Sequence, residues 1–469
     1  MTRGKNKAAV IPLLIIIVFA VYKVFSGFVG DLDELWNYNM SRGIVMGYLP
    51  YRDFSMVQMP LFAFFNAIFL SLSKSLFAYR ISCSIILLAV ILLMFRCVRD
   101  VTNSHYALPA ALMSIVLAEI VSYNTLFFIF ALLTYMAFMS AESKKKYVLL
   151  GVTAALAALS RQTSGTLLLF VVLVLLLSPV CGKKTAGGKA MRVLFYLIGV
   201  AVPCTVFLIY LLVTKSFFDF WDYCLFSLFA FGSDNSKILA GAVPMIVIIS
   251  AGIFCDIRLM KEDRIRTLIH IILSIPILFV GVPIVDRPHM VYGAMWYMIP
   301  IAEFIKRYLG KNLRPRISVF LSSVLGVVIL ALGAVNMLGC LFVPGRPELI
   351  MLPVRGDLAE DYGFIADKNR TYEEAGFKVT TFSYSSILIS LFEGDYDPPY
   401  DMFLNGNLGL HDPMEYVRSA CADPDAVILM PNDYVTEGWQ NPDGVYEYIT
   451  SHCEPVDSYG RFVWYRPVS

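Results

Sequence analysis

Three carboxylates, Asp31, Asp33 and Glu34, stand almost together directly after the first long apolar run. Carboxylates packed against the end of a membrane helix are costly unless they are solvated or used. Used, such a group takes the proton from a hydroxyl that is about to attack. Left unused, Asp31 or Asp33 would simply cap a following helix, since Asp is a favoured N-cap residue. A fourth acid, Asp53, follows in Gly47-Tyr48-Leu49-Pro50-Tyr51-Arg52-Asp53-Phe54. The cations that could complement these acids are Arg80, Arg161, Arg287 and His289. The arginine fork matches phosphate oxygens two at a time, and a histidine can hydrogen-bond or protonate the same group. Each has a plainer reading: Arg161 as a snorkelling helix-end arginine, and Asp286-Arg287-Pro288-His289 as a polar loop closing the helix before it, with a weak internal pair. Glu119 is an acid near the end of an apolar span, a functional suspect by default.

The elements that must hold these residues are membrane helices. The chain has 469 residues, 58% of them hydrophobic, and a mean hydropathy of +0.67. Soluble domains are about 45–50% apolar. A span needs about 20 apolar residues, and eleven candidates occur, at 8–27, 77–98, 106–122, 125–141, 147–160, 163–178, 193–213, 239–256, 267–285, 290–305 and 317–343. The run 147–178 is broken only at Ser160-Arg161-Gln162. As one helix it would be about 48 Å long, too long for the bilayer. Lys144-Lys145-Lys146 and Lys183-Lys184 flank it and belong on one side, so the crossings between them are even in number. With the N-terminus in the cytoplasm, the inner segments hold 21 Lys/Arg and the outer segments before residue 344 hold 8. This places residues 344–469 outside. That tail carries 8 Lys/Arg and 21 Asp/Glu, against 30 and 15 in residues 1–343, and two environments are the simplest reading of such a split.

The expected fold is therefore an all-α polytopic membrane domain over 1–343, with about eleven transmembrane helices and a long first outer loop at 28–76. A small extracytoplasmic α/β domain over 344–469 follows. In the loop, the apolar segment 60–73 is too short to span and suits a helix lying in the interface. Aromatics crowd 214–238, as an interfacial belt or as a contact for a lipid tail. In the tail, 378–382 and 426–430 read as buried strands, 443–449 as a short helix and 460–466 as a terminal edge strand. The nine cysteines have no metal-ligand spacing. Cys421 and Cys453 could pair in an oxidising compartment. Asn39-Met40-Ser41 and Asn369-Arg370-Thr371 match the N-glycosylation pattern.

Taken in order, Asp-Glu after the first span, Gly47-x-x-Pro50-Tyr51-Arg52-Asp53, Pro60-Leu61 opening a surface helix and Arg80 at the second span resemble the GT-C glycosyltransferases. The resemblance is to the bacterial branch related to protein O-mannosyltransferases and the lipid A aminoarabinose transferase. It covers the membrane part well and the tail in outline. One departure is Met59, where the family usually has a second proline. The resemblance implies a bacterial plasma-membrane enzyme of the cell envelope, a hexosyl- or pentosyltransferase that inverts the anomeric centre. The donor is a polyprenyl-phosphate sugar. The acceptor is a glycan, lipid or protein, and no nucleic acid is involved. Asp33 or Glu34 is the expected general base, with Asp31 or Asp53 as a second acid. Arg80, Arg161, Arg287 and His289 are expected at the donor phosphate. No cofactor or metal is needed, though a divalent ion bridging Asp31 and Asp53 stays open. The tail could shape acceptor binding or act as a lid. The competing class is a transporter or a flippase for lipid-linked saccharides. Those place charges near the bilayer midplane, whereas here the span centres are nearly free of charge.

Overall fold

The computed structural model describes residues 3–102, 104–118, 120–181, 186–226, 239–282, 284–309, 315–394, 403–405, 407–409, 411–434 and 441–468. Glu119, Lys183-Lys184 and the aromatics Phe229 and Phe231 lie outside the described residues.

Helices dominate, because in lipid every backbone N–H and C=O must find its partner within the chain. In order they are α1 (Arg3–Phe25), α2 (Leu32–Val45), α3 (Leu61–Leu70), α4 (Leu76–Val101), α5 (Ser104–Leu117), α6 (Tyr123–Met139) and α7 (Lys144–Ser160). Then come α8 (Gln162–Leu177), α9 (Ala186–Val213), α10 (Phe217–Trp221), α11 (Leu239–Leu259), α12 (Arg264–Leu278), α13 (Arg287–Phe304) and α14 (Pro315–Met337). Each of the eleven apolar runs coincides with a helix. Among the described residues, five helices, α4, α9, α11, α12 (with the turn to Gly281) and α14, are long and apolar enough to cross a membrane. The run 147–178 breaks where its polar residues stand: Arg161 alone is extended, at φ −145° and ψ 115°, between α7 and α8.

The chain forms two compact units. One comprises Met1–Gly27, Ile81–Ile209 and Asn235–Asn336, the other Phe28–Arg80, Tyr210–Asp234 and Met337–Ser469. In the first, α1 meets α14 through the Tyr22 hydroxyl, which donates to the Leu330 carbonyl at 2.9 Å. Its interior also holds a buried His270–Asp256 pair at 2.8 Å, with Trp296 stacked on the imidazole at 4.6 Å.

The second unit contains α2, α3 and α10. It also contains β1 (Cys340–Phe342), β2 (Pro353–Arg355), α15 (Gly356–Glu374), β3 (Lys378–Thr381) and α16 (Ser386–Glu393). After these come α17 (Pro413–Ala422), β4 (Ala426–Pro431), α18 (Val445–His452), β5 (Cys453–Tyr459) and β6 (Phe462–Pro467). β1 and β2 pair antiparallel, and the four-stranded sheet runs β3-β4-β6-β5, with β3 and β4 parallel. Its core collects Phe382, Ile428, Met430, Val445 and Ile449.

Three sequence expectations are corrected. The last apolar helix ends at Met337, not at residue 343: Gly339 takes φ +76° and Cys340–Phe342 turns into a strand paired with Pro353–Arg355. The final strand is not at an edge. β6 lies between β4 and β5, and the edge is β5, whose Glu454, Pro455 and Asp457 gave no apolar run to read. Charge and proline are the usual protection of an edge strand. Asp286-Arg287-Pro288-His289 does not close a helix but opens α13, with Asp286 as its N-cap. Neither glycosylation pattern offers a free asparagine. Asn39 and Asn369 are buried and bonded, Asn39 to the Ser390 hydroxyl and Asn369 to Trp464 and Glu393. The Cys421 and Cys453 sulfurs approach to 3.5 Å as free thiols.

Candidate active site

The acidic cluster is built on the first turn of α2. Asp31 is the N-cap, extended at φ −72° and ψ 126°, and its carboxylate accepts the Glu34 N–H at 3.1 Å. Burial pushes Asp31 up to about 7, and the neighbouring Asp33 charge pushes the same way. Such a group exchanges protons near neutral pH. Asp33 itself is exposed. Glu34 is spoken for: Arg80 Nε donates to its Oε1 and Arg80 Nη2 to its Oε2, both at 2.7 Å. Arg80 also donates to the Phe28 carbonyl at 3.2 Å and is only 1% exposed. Four of the expected residues thus meet here, with Arg80 bound to a carboxylate at the point where the sequence reading placed a phosphate.

Asp53 does not join them. Its carboxylate accepts the Leu49 N–H at 2.8 Å and pairs with Arg52 at 2.8 and 3.0 Å. The Arg52 guanidinium holds it below the usual carboxylate range. The pair closes a tight turn in which Tyr51 takes φ +72°, a conformation uncommon for a bulky residue. The Tyr51 hydroxyl donates to the Gln58 carbonyl at 2.8 Å and its ring packs on Phe220. Strain of this kind clusters at functional loops. The sequence gives no sign of it, because Tyr carries no preference for positive φ.

The basic cluster belongs to the other unit. Arg161, 7% exposed, donates from Nη1 to Asn124 Oδ1 and from Nη2 to the Val280 carbonyl at 2.9 Å, and it lies 5.8 Å over the Tyr123 ring. Among the described residues its Nε has no partner, and no carboxylate pairs with it. It is therefore not a snorkelling residue. Asp286 and Tyr292 lie within electrostatic reach of it, and the Tyr292 hydroxyl is bonded to Thr125 at 2.8 Å. Asp286 Oδ1 accepts the His289 N–H at 2.9 Å and contacts His289 Nδ1 at 2.5 Å, which fixes the ring. The pair in this turn is thus Asp286–His289. Arg287 is exposed at the first position of α13. Arg161 and the Asp286–His289 turn accordingly share one neighbourhood. Asn124 and Tyr292 were missed by sequence reading. Asn124 had a signal, the Ser122-Tyr123-Asn124 polar break before an apolar run; Tyr292 had none.

A family model described as dolichyl-phosphate-mannose-protein mannosyltransferase matches residues 57–210. Among solved structures, ArnT from Cupriavidus metallidurans in the apo state aligns with a TM-score of 0.63 at 11% identity, covering 99% of this chain and 98% of that one. The same protein bound to undecaprenyl phosphate gives 0.62 at 14% identity, over 100% and 99% of the two chains. The chain has the GT-C glycosyltransferase fold. The Archaeoglobus fulgidus oligosaccharyltransferase, tethered with an acceptor peptide containing an NVT sequon, aligns more loosely, with a TM-score of 0.51 at 12% identity over 91% of this chain and 69% of that one. No curated protein sequence matches. A GT-C fold, together with the long apolar helices, makes the chain a multi-pass membrane protein.

Proposed function

We propose that this GT-C chain moves a sugar from a polyprenyl-phosphate donor to an acceptor hydroxyl at the outer face of a bacterial plasma membrane. In this reading it crosses the membrane eleven times, with the N-terminus in the cytoplasm and the region after residue 343 outside. The observation that carries it is the acidic first turn of α2, with a carboxyl pushed to about 7 beside the exposed Asp33.

Asp33 takes the proton from the acceptor hydroxyl while that oxygen bonds to C1 of the sugar. The bond from C1 to the phosphate oxygen breaks, and polyprenyl phosphate leaves as the dianion. Asp31, close to half-protonated near neutral pH, spares Asp33 a second full negative charge. Glu34 is a structural partner of Arg80 rather than the base. Arg161, with Arg287 and His289, holds the phosphate; preorganised donors of this kind act where charge develops. Attack opposite the leaving group inverts the anomeric centre. These roles ask for no metal.

The test is to offer the purified protein a panel of polyprenyl-phosphate sugars and measure release of polyprenyl phosphate. Release that depends on an acceptor is expected for one member. Tight binding with passage across a vesicle membrane and no release would favour a flippase.

A further inference from the structure

The two ends of α2 are held by the region that follows α14, and this bears on the transferase reading above. Nine residues beyond Asp33, about 14 Å along a helix, the last turn of α2 carries Arg42, only 1% exposed. Its Nη2 donates to the Gly394 carbonyl and its Nη1 to the Ser390 carbonyl at 3.4 Å, and Glu348 Oε1 stands 3.8 Å away. One turn earlier on α2, Asn39 Nδ2 donates to the Ser390 hydroxyl at 3.1 Å.

The receiving surface is the C-terminal end of α16, which carries the negative end of the helix dipole and where the Ser390 carbonyl also accepts the Gly394 N–H at 3.1 Å. Gly394 caps that end at φ +79°. A Cβ there would sit 3.0 Å from Glu348 Oε2, so glycine makes the room in which the Glu348 carboxylate approaches. At the other end of α2, Val29 forms a bridge with Val354 of β2. Gly30, at φ +130°, lies so close to Leu358 of α15 that a Cβ would come within 2.8 Å of it. Asp31 follows directly.

A helix could be held on this surface by apolar contact alone. Burying a guanidinium to reach a particular helix end instead costs desolvation and returns a defined register. We propose that Arg42 is a positioning residue: the latch it makes with Gly394, Ser390 and Glu348 sets where α2 presents Asp31 and Asp33.

The full-length chain in nanodiscs tests this with Arg42→Met, Arg42→Lys and Gly394→Ala. Hydrogen exchange is read at the backbone amides of residues 31–36, affinity is read with undecaprenyl phosphate, and turnover is read with the polyprenyl-phosphate sugar the wild type consumes. Arg42→Met is expected to raise exchange at 31–36 and to lower turnover on the order of 10²-fold, as a misplacement of about 1 Å does, with undecaprenyl phosphate affinity unchanged. Arg42→Lys keeps the charge without the fork and recovers part of the protection. Gly394→Ala, which leaves Arg42 intact, moves the same readouts and decides the matter if Arg42→Met does not fold. Unchanged exchange at 31–36 and unchanged turnover in a folded variant overturn the latch. A wild type that consumes no such donor, with exchange at 31–36 still raised by Arg42→Met, overturns the transferase reading and leaves the latch standing.

Discussion

Arg80 and Arg161 are both buried, yet their surroundings are opposite. Arg80 spends its fork on the two oxygens of Glu34, so the acidic cluster carries its own countercharge. Arg161 has an amide oxygen, a backbone carbonyl and an aromatic face; among the described residues no carboxylate makes a salt bridge with it, and the Asp286 carboxylate acts on it only from a longer distance. A buried cation without a carboxylate in direct contact is expensive. The contrast separates a cluster whose arginine is matched by a carboxylate in direct contact, beside a carboxyl raised to about 7, from one whose arginine has no such contact. On the proposed reading the first handles the proton and the second the phosphate.

The largest effect expected from this contrast is on turnover. Asp33→Asn keeps the size of the residue and leaves the Asp31 cap of α2 in place. Loss of a general base is expected to cost on the order of 10²–10⁴-fold in rate with the protein level unchanged. Near-normal turnover would return Asp33 to the role of a helix-turn residue.

Next come the two arginines themselves. Arg80→Met strands the half-buried Glu34 carboxylate without its partner and is expected to lower stability by a few kcal/mol, at most about 3–5 kcal/mol. Arg161→Met removes a cation with no carboxylate partner and is expected to leave stability unchanged or higher. Thermal unfolding in detergent reads both, and equal losses would erase the distinction between them.

A smaller effect concerns pH. Asp31 is raised to about 7 in the folded chain from an ordinary value of 3.8. The folded state therefore binds this proton more tightly than the unfolded one. Its contribution to stability is fully present below about pH 4 and is lost as pH rises to about 7. Asp31→Asn is expected to remove that part of the slope in unfolding temperature between those limits, and an unaltered slope would mean Asp31 is not the group responsible. The smallest effect is at Asp53, whose partner Arg52 is exposed. An exposed pair adds little to stability, so Arg52→Ala is expected to leave the unfolding temperature close to that of the wild type.

Much of the fold was legible. Hydropathy located the eleven apolar helices but not the polar α2 (Leu32–Val45) and α15 (Gly356–Glu374), and the Ser160-Arg161-Gln162 interruption fell on the one extended residue between α7 and α8. The short helix at Leu61–Leu70 and the strands β3 and β4 were equally readable, because local period and length decide them. Pairings across the chain were not. Glu34 and Arg80 are 46 residues apart, and nothing in either neighbourhood tells a salt bridge from a phosphate ligand. The order of β6 and β5 depends on long-range pairing in the same way. The start of α13 was readable and misread: Asp286 followed by Pro288 at the head of an apolar run is a helix-opening signal.

The division of labour between the two clusters is tested most directly by the dissociation constant for undecaprenyl phosphate, measured on the purified wild type, Arg161→Met and Asp33→Asn. The phosphate-binding role of Arg161 predicts at least about a 10-fold loss of affinity in Arg161→Met, the scale of a lost charge-assisted hydrogen bond. Asp33→Asn is predicted to bind within about twofold of the wild type, since the proton-accepting carboxylate plays no part in holding the phosphate. Equal affinity in wild type and Arg161→Met, or a loss confined to Asp33→Asn, would contradict the account.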